Sequence, residues 1–148
     1  MPPEFSPTFS LVIPVYNEEE MIAATVEELH QILQSYQYEI IVVNDGSTDA
    51  TSKVLSSVAG IILIEHNCNR GYGAALKTGI RQAQHPLIVI TDADGTYPNE
   101  RIPDLLTLAA RADMVVGSRT GKNVTYSNLR KIPKWFLVRF AQWVTKTK

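Results

Sequence analysis

Two aspartates, Asp92 and Asp94, stand one residue apart just after an apolar run, and Gly95 follows them. If the chain turns at that glycine, both carboxylates can face one crevice. Hard oxygen donors of this kind suit Mg2+ or Mn2+, which bind through one or two carboxylates plus the phosphate oxygens of a substrate. A plain polar turn is the alternative. A third acid, Asp45, lies in Asn44-Asp45-Gly46-Ser47-Thr48-Asp49, again after an apolar run. Its carboxylate can accept hydrogen bonds from a base or a ribose, or it can cap the next helix. Ser47 and Thr48 already offer caps, which leaves Asp45 for a ligand. Arg70 and Arg119 suit phosphate, because a guanidinium meets two phosphate oxygens with parallel hydrogen bonds. Arg70 equally suits a structural role, neutralising the acids. His30, His66 and His85 show no ligand spacing, and no catalytic histidine is expected.

These residues need a scaffold that gathers them. Short β-rich runs, Phe9–Val15, Tyr38–Asn44, Gly60–Glu65, Leu87–Thr91 and Met114–Gly117, alternate with helical patterns. The runs are apolar on both faces, as in buried parallel strands. The first helical pattern places Ile22, Val26, Leu29 and Leu33 on one face, with Asn17 as its cap and Glu18, Glu19 and Glu20 at its positive end. The second runs from about Asp49 to Val58. The third runs from about Gly73 to Gln84, with Leu76, Ile80 and Ala83 inward and Lys77 at the surface. The fourth opens at Pro98 and groups Ile102, Leu105, Leu106 and Ala109. The expected fold class is therefore α/β, an open, mainly parallel, Rossmann-like sheet with helices on both faces. Ligands of such sheets sit beyond the carboxyl ends of the strands, where Asp45, Arg70, Asp92, Asp94 and Arg119 fall.

Composition narrows the functional classes. The chain has 148 residues, 45% hydrophobic and 20% charged, enough to bury a core and unlike disordered or fibrous sequences. One cysteine, Cys68, excludes an internal disulfide framework. No apolar run approaches the roughly 20 residues of a bilayer span, and Met1–Ser10 lacks a signal-peptide pattern. A cytosolic location is expected. The net charge of −1 hides a division. Residues 1–113 hold all fifteen acids and six bases, net −9, whereas residues 114–148 hold eight bases and no acid, net +8. After a polar stretch, Ser118–Asn128, the segment Leu129–Lys148 reads as a basic amphipathic helix carrying both tryptophans, Trp135 and Trp143. Such a helix suits a membrane surface or a further part of the protein.

Other chemistries leave traces that are absent or incomplete. Gly71-x-Gly73-x-x-Leu76 lacks the third glycine of a dinucleotide fingerprint and follows the third strand rather than the first. No phosphate-binding Gly-x-x-x-x-Gly-Lys-Ser/Thr motif exists. Ile90-Thr91-Asp92-Ala93-Asp94-Gly95-Thr96 looks like the first motif of haloacid-dehalogenase-type phosphatases, with Asp92 as nucleophile. Those enzymes need further motifs downstream, including a lysine and an acidic pair that holds Mg2+, and only one acid, Asp113, follows Asp104.

In order along the chain, Ile13-Pro14-Val15-Tyr16-Asn17-Glu18, Val43-Asn44-Asp45-Gly46-Ser47-Thr48-Asp49, Asn69-Arg70-Gly71-Tyr72-Gly73, Asp92-Ala93-Asp94 and Gly117-Ser118-Arg119 together resemble the family 2 glycosyltransferases. Within that family the sequence is most similar to the dolichyl- and polyprenyl-phosphate sugar transferases. The resemblance implies a GT-A nucleotide-sugar-binding fold, an inverting reaction and a divalent metal, Mg2+ or Mn2+. It implies that Pro14, Tyr16 and Glu18 line the nucleoside pocket and that Val43 and Asp45 bind the base. Asp92 and the Ala93 backbone would face ribose and diphosphate, Asp94 with Asp92 would hold the metal, and Arg119 would contact phosphate at the reaction centre. The implied donor is a GDP- or UDP-linked sugar and the implied acceptor a lipid phosphate at the cytoplasmic membrane face. Nucleic acid is not an expected partner. An acceptor phosphate is already an anion and needs no strong base, in keeping with the lack of a catalytic histidine; transfer to a saccharide hydroxyl, the alternative, needs one. The pattern departs from the family at Thr96, where relatives often carry a glutamine that ligates the metal. The implied organisation is a tail over 1–8, a nucleotide-sugar-binding domain over 9–119, and a loop and basic helix over 120–148 that begin the acceptor part. The family continues past Lys148, so the chain is expected to be a fragment that binds donor weakly and turns it over poorly.

Overall fold

The computed structural model describes residues 7–118. Strands β1 (Phe9–Val15), β2 (Tyr38–Asn44), β3 (Ile61–Glu65) and β4 (Leu87–Ile90) alternate with helices α1 (Ile22–Leu33), α2 (Thr51–Leu55), α3 (Tyr72–Gln82) and α4 (Ile102–Ala109). A 3-10 turn over Asn99–Arg101 leads into α4. The strands are parallel and lie in the order β3-β2-β1-β4. The chain thus steps outward twice in one direction and then crosses back to the other side of β1. The reversal sends α3 to the opposite face from α1 and α2, because each crossover keeps the same hand.

Burial follows from this layering. On one face Phe9, Leu11, Ile13 and Val15 meet Ile22, Val26, Leu29 and Leu33 of α1, Leu55 of α2, and Ile102 and Leu106 of α4. On the other, Ile41 and Val43 pack with Ala75 of α3. Both faces of β1 and β2 are covered, so their residues are apolar without alternation. Ser10, the polar exception in β1, is fully buried and satisfied: its hydroxyl donates to Glu39 Oε1 at 2.5 Å and accepts the His85 N–H at 3.1 Å.

Pro14 decides where the sheet opens. The β1–β4 ladder ends at Val12 with Ile90, whereas the β1–β2 ladder continues to Val15 with Asn44. Val12 turns its carbonyl toward β4, accepting the Thr91 N–H, and Pro14, two residues on, presents its backbone to the same side. Pro14 has no N–H to offer there. The gap between β1 and β4 lies where strand order reverses, the position at which open α/β sheets bind ligands.

Several expectations change. Asn17 does not cap α1, which begins without a side-chain cap. It adopts φ of 57° and its side chain accepts the Thr48 N–H at 2.8 Å, tying the loop after β1 to the loop after β2. Neither Ser47 nor Thr48 caps α2; Asp49 accepts the Thr51 N–H at 3.0 Å instead. Helix α2 is also shorter than its apolar spacing suggested. The inward face of α3 is Ala75 and Gly79 rather than Leu76 and Ile80, and Ile80 is 42% exposed; Ala83, just past the helix, packs against this core as expected. Small residues win because α3 lies close on the sheet: a Cβ at Gly79 would come within 2.4 Å of Val12 Cγ1 and 3.2 Å of Val43 Cγ2. Lys77 is exposed, as expected. Met114–Gly117 is not a strand. Met114 and Val116 are 79% and 69% exposed, and no described strand takes their backbone hydrogen bonds, without which β propensity alone makes no sheet. A compact unit runs to Val115. Arg119, most of the polar stretch and the basic helix expected over 129–148 lie outside the described residues.

Helix α3 yields a paired prediction. Gly79→Ala gains helix propensity of about 1 kcal/mol but forces a methyl onto a fully buried β-branched side chain, and overpacking of this kind costs about 1–3 kcal/mol. A Cβ at Gly73 meets nothing within 4 Å, so Gly73→Ala is expected to stabilise by about 0.5–1 kcal/mol. Urea midpoints should therefore move in opposite directions for the two variants.

Candidate functional site

The gap beyond β1 and β4 is lined by residues that leave the ends of the strands. After β4 the chain passes through Asp92, Ala93 and Asp94. Ala93 is 2% exposed, belongs to the α1 core, and its carbonyl accepts the buried Thr25 hydroxyl at 3.1 Å. Anchoring the middle residue inward turns its two acidic neighbours outward. Asp92 is half-buried and Asp94 exposed. Asp94 Oδ1 accepts the Thr96 N–H at 2.9 Å, and Asp92 Oδ1 accepts the Tyr72 hydroxyl at 3.0 Å. Burial, then this bond to Asp92, pushes the Tyr72 phenol up to about 12, so it stays a donor at neutral pH.

Glu18, at the end of β1, reports the field of this cluster. Burial raises its pKa, and Asp94, Asp49 and Asp92 raise it further. Its N–H is held by Thr51 Oγ1 at 2.9 Å. Concentrated negative charge of this kind favours a cation. Each carboxylate of the Asp92/Asp94 pair keeps lone pairs beyond its single hydrogen bond named above, and both offer the hard oxygen that a divalent ion takes. No group of three or more His, Cys, Asp or Glu among the described residues is arranged to hold a metal. Two carboxylates with free lone pairs fit a cation whose shell is completed by substrate phosphate and water.

Asp45 is placed differently from a free ligand group. It is 3% exposed. Its Oδ1 accepts from His66 Nδ1 at 2.6 Å and from the Arg70 N–H at 3.0 Å, and its Oδ2 accepts the Gly71 N–H at 2.7 Å. Its own N–H donates to Val15 O at 2.8 Å. Burial works to raise its pKa, but the bonds from His66, Arg70 and Gly71 prevail and hold it below the usual carboxylate value. The premise that Ser47 and Thr48 cap the next helix has failed, yet Asp45 does not cap it either; it organises the loop that starts α3.

Two clefts flank Tyr16, which is 44% exposed. One, of about 250 Å³, is lined by Pro14, Tyr16, Asp45, Asn69, Gly71 and Tyr72 among others. The second, of about 480 Å³, lies between the loops after β1, β2 and β3 and includes Tyr16, Ser47, Glu65, His66 and Asn69. Pro14 and Tyr16 thus stand together at the expected pocket, with Glu18 following them in the same loop. Val43 does not: it is 0% exposed beneath α3, so its side chain offers no surface to a base. Arg70 is exposed and its guanidinium forms no ion pair among the described residues; the acids are not neutralised by it. Arg119 lies outside those residues.

Two residues were missed by spacing arguments. Tyr72 bonds Asp92, and His66 bonds Asp45. Both follow the end of β3, the same signal that marked the acids. Metal-ligand spacing does not single out His66, because a histidine paired with one aspartate has no such pattern.

The sequence model of the family described as Glycosyl transferase family 2 matches residues 10–146. The chain is 40% identical over 119 residues to an undecaprenyl-phosphate 4-deoxy-4-formamido-L-arabinose transferase of Proteus mirabilis (strain HI4320), covering 74% of this chain and 36% of the relative. It is 37% identical over 135 residues to a prophage bactoprenol glucosyl transferase homolog of Escherichia coli (strain K12), covering 86% of this chain and 44% of the relative. The chain thus spans less than half the length of these curated relatives. Among solved structures it is similar to a mannosyltransferase from Pyrobaculum calidifontis in complex with GDP-Man and Mn2+, with a TM-score of 0.63 and 28% identity over 72% of this chain and 34% of that one. The family match sets aside the phosphatase reading of Asp92.

The Asp45 network makes acid stability testable. A carboxyl with a lowered folded pKa contributes stability that is complete above its unfolded value of about 4 and is lost as pH falls through the folded value. Asp45→Asn presents an amide N–H toward the Gly71 N–H and is expected to cost about 1–3 kcal/mol at neutral pH. Urea unfolding from pH 7 down to pH 2 should show a shallower acid loss in the variant than in the parent chain.

Proposed function

Because the chain belongs to glycosyl transferase family 2, we propose that it forms the donor-binding part of an inverting, metal-dependent transferase that moves a sugar from a GDP- or UDP-linked donor to a polyprenyl phosphate. The observation that carries the reading is the outward pair Asp92/Asp94 beyond the gap between β1 and β4, with Tyr72 on Asp92 and the Tyr16 cleft near the end of β1. The GDP-Man and Mn2+ of the Pyrobaculum structure and the undecaprenyl phosphate and bactoprenol in the relatives' names support it.

In this reading Pro14 and Tyr16 bound the nucleoside, and Asp92 and Asp94 face the diphosphate. A divalent cation, Mg2+ or Mn2+, held by these two carboxylates would neutralise charge that grows on the leaving diphosphate. Arg70 and Arg119 supply guanidinium for phosphate oxygens. The acceptor phosphate oxygen forms a bond to the anomeric carbon on the face opposite the leaving group, and the bond from that carbon to the diphosphate oxygen breaks. The attacking oxygen is already anionic, so no side chain has to remove its proton. The basic, tryptophan-bearing segment 129–148 fits the same reading, as a contact to a cytoplasmic membrane surface near a lipid-phosphate acceptor. The alternative acceptor, a saccharide hydroxyl, calls for a base near the anomeric carbon.

Titration of the 148-residue chain against GDP- and UDP-linked sugars should give binding that depends on Mn2+. Asp94→Ala should weaken it by about tenfold or more, as loss of a metal-site group typically does. A folded chain indifferent to every donor in the presence of Mn2+ would rule the function out.

A further inference from the structure

The carboxylate of Asp45 is itself held. His66 follows β3 directly, and its N–H donates to Asn44 O at 2.9 Å, fixing its backbone against the end of β2. Its imidazole is nearly covered, with 6% of the side chain exposed. Nδ1 lies 2.6 Å from Asp45 Oδ1 and Nε2 lies 3.0 Å from Thr78 Oγ1 on α3. Asp45 can only accept, so Nδ1 carries a proton and donates to it, and Nε2 pairs with the Thr78 hydroxyl. The ring therefore has two fixed partners and sits in one orientation.

What the ring orients is a turn. Rotation of an aspartate carboxylate about its last torsion is soft, yet both oxygens of Asp45 must be aimed for Oδ1 to take the Arg70 N–H and Oδ2 the Gly71 N–H. Gly71 has φ of 90° and ψ of 153°, a conformation open to glycine and strained for other residues. It stands immediately before α3, and the next residue, Tyr72, sends its hydroxyl to Asp92. A continuous path of hydrogen bonds and one peptide unit thus joins Thr78, His66, Asp45, Gly71, Tyr72 and Asp92.

We propose that His66 is a positioning residue for the donor site: it fixes the Asp45 carboxylate, which sets the Arg70–Gly71 turn and so aims the Tyr72 hydroxyl at Asp92. The inference rests on the reading of Asp92 and Asp94 as the diphosphate end of the site. His66 touches no substrate in this role. It acts through Asp45, as outer groups orient the inner ligands of metal sites.

The two ring nitrogens can be tested separately. An asparagine amide reproduces a donor near Nδ1, whereas a glutamine amide reaches the place of Nε2. Hydrogen exchange of the Arg70 and Gly71 amides reports the turn without any ligand, with Val42 in β2 as a core control. In His66→Ala these two amides should lose protection about tenfold while Val42 holds, as a local opening requires. Affinity for GDP or UDP with Mn2+ should fall about tenfold in the same variant, within the usual range for removing a supporting group. His66→Asn should restore both readouts and His66→Gln neither. Tyr72→Phe should weaken nucleotide binding and leave Arg70 and Gly71 protected, since it lies further along the path. Unchanged protection in His66→Ala, or equal behaviour of the asparagine and glutamine variants, would overturn the proposal. A parent chain that binds no nucleotide overturns the positioning role together with the function it serves, whereas a parent that binds while His66→Ala binds equally well overturns the positioning role alone.

Discussion

One buried carboxylate organises the ligand end of this sheet. Asp45 ties its own loop to three other places: the end of β1 through Val15, the residue after β3 through His66, and the approach to α3 through Arg70 and Gly71. A buried acid with no partners would cost several kcal/mol. Here three donors converge on it, and no buried side-chain nitrogen or oxygen among the described residues lacks a hydrogen bond. The arrangement is stable because the donors are there, and the loop has its shape because they must be.

Two backbone constraints complete the site. Pro14 offers no donor toward β4, so the sheet parts beyond Val12 just where strand order reverses. Gly79 lets α3 lie close against Val12 and Val43, which brings the start of that helix, and Tyr72 with it, within reach of Asp92. Ala93 then works as a pin: by burying itself and binding Thr25 it leaves Asp92 and Asp94 directed outward. None of these residues carries chemistry, yet each decides where a chemical group stands.

The electrostatics point the same way. Glu18 is raised by burial and by Asp94, Asp49 and Asp92, so the acids share one neighbourhood rather than scattered surface positions. Clustered carboxylates of this kind are suited to holding a cation together with an anionic substrate. That logic is common to nucleotide-sugar chemistry, in which charge must be neutralised on the departing diphosphate.

The first four strands and their alternation with helices, the apolar faces of α1 and α4, the paired acids after β4 and the family were legible in the sequence, whereas the fifth strand expected at Met114–Gly117 did not form. They rest on periodicity and on local motifs, which neighbours along the chain are enough to reveal. The register of α3 was not legible, because Leu76 and Ile80 are better apolar residues than Ala75 and Gly79, and only the closeness of helix to sheet reverses that preference. The fate of Asp45 was not legible either. Its position after a strand marked it as important, but whether its oxygens face a ligand or the chain depends on amides at Arg70 and Gly71 and on an imidazole at His66. Those groups meet it only because three parallel strands end side by side. Residue types determined what chemistry was available; the sheet, by setting which loop ends are neighbours, decided which groups would do it and which would hold the others in place.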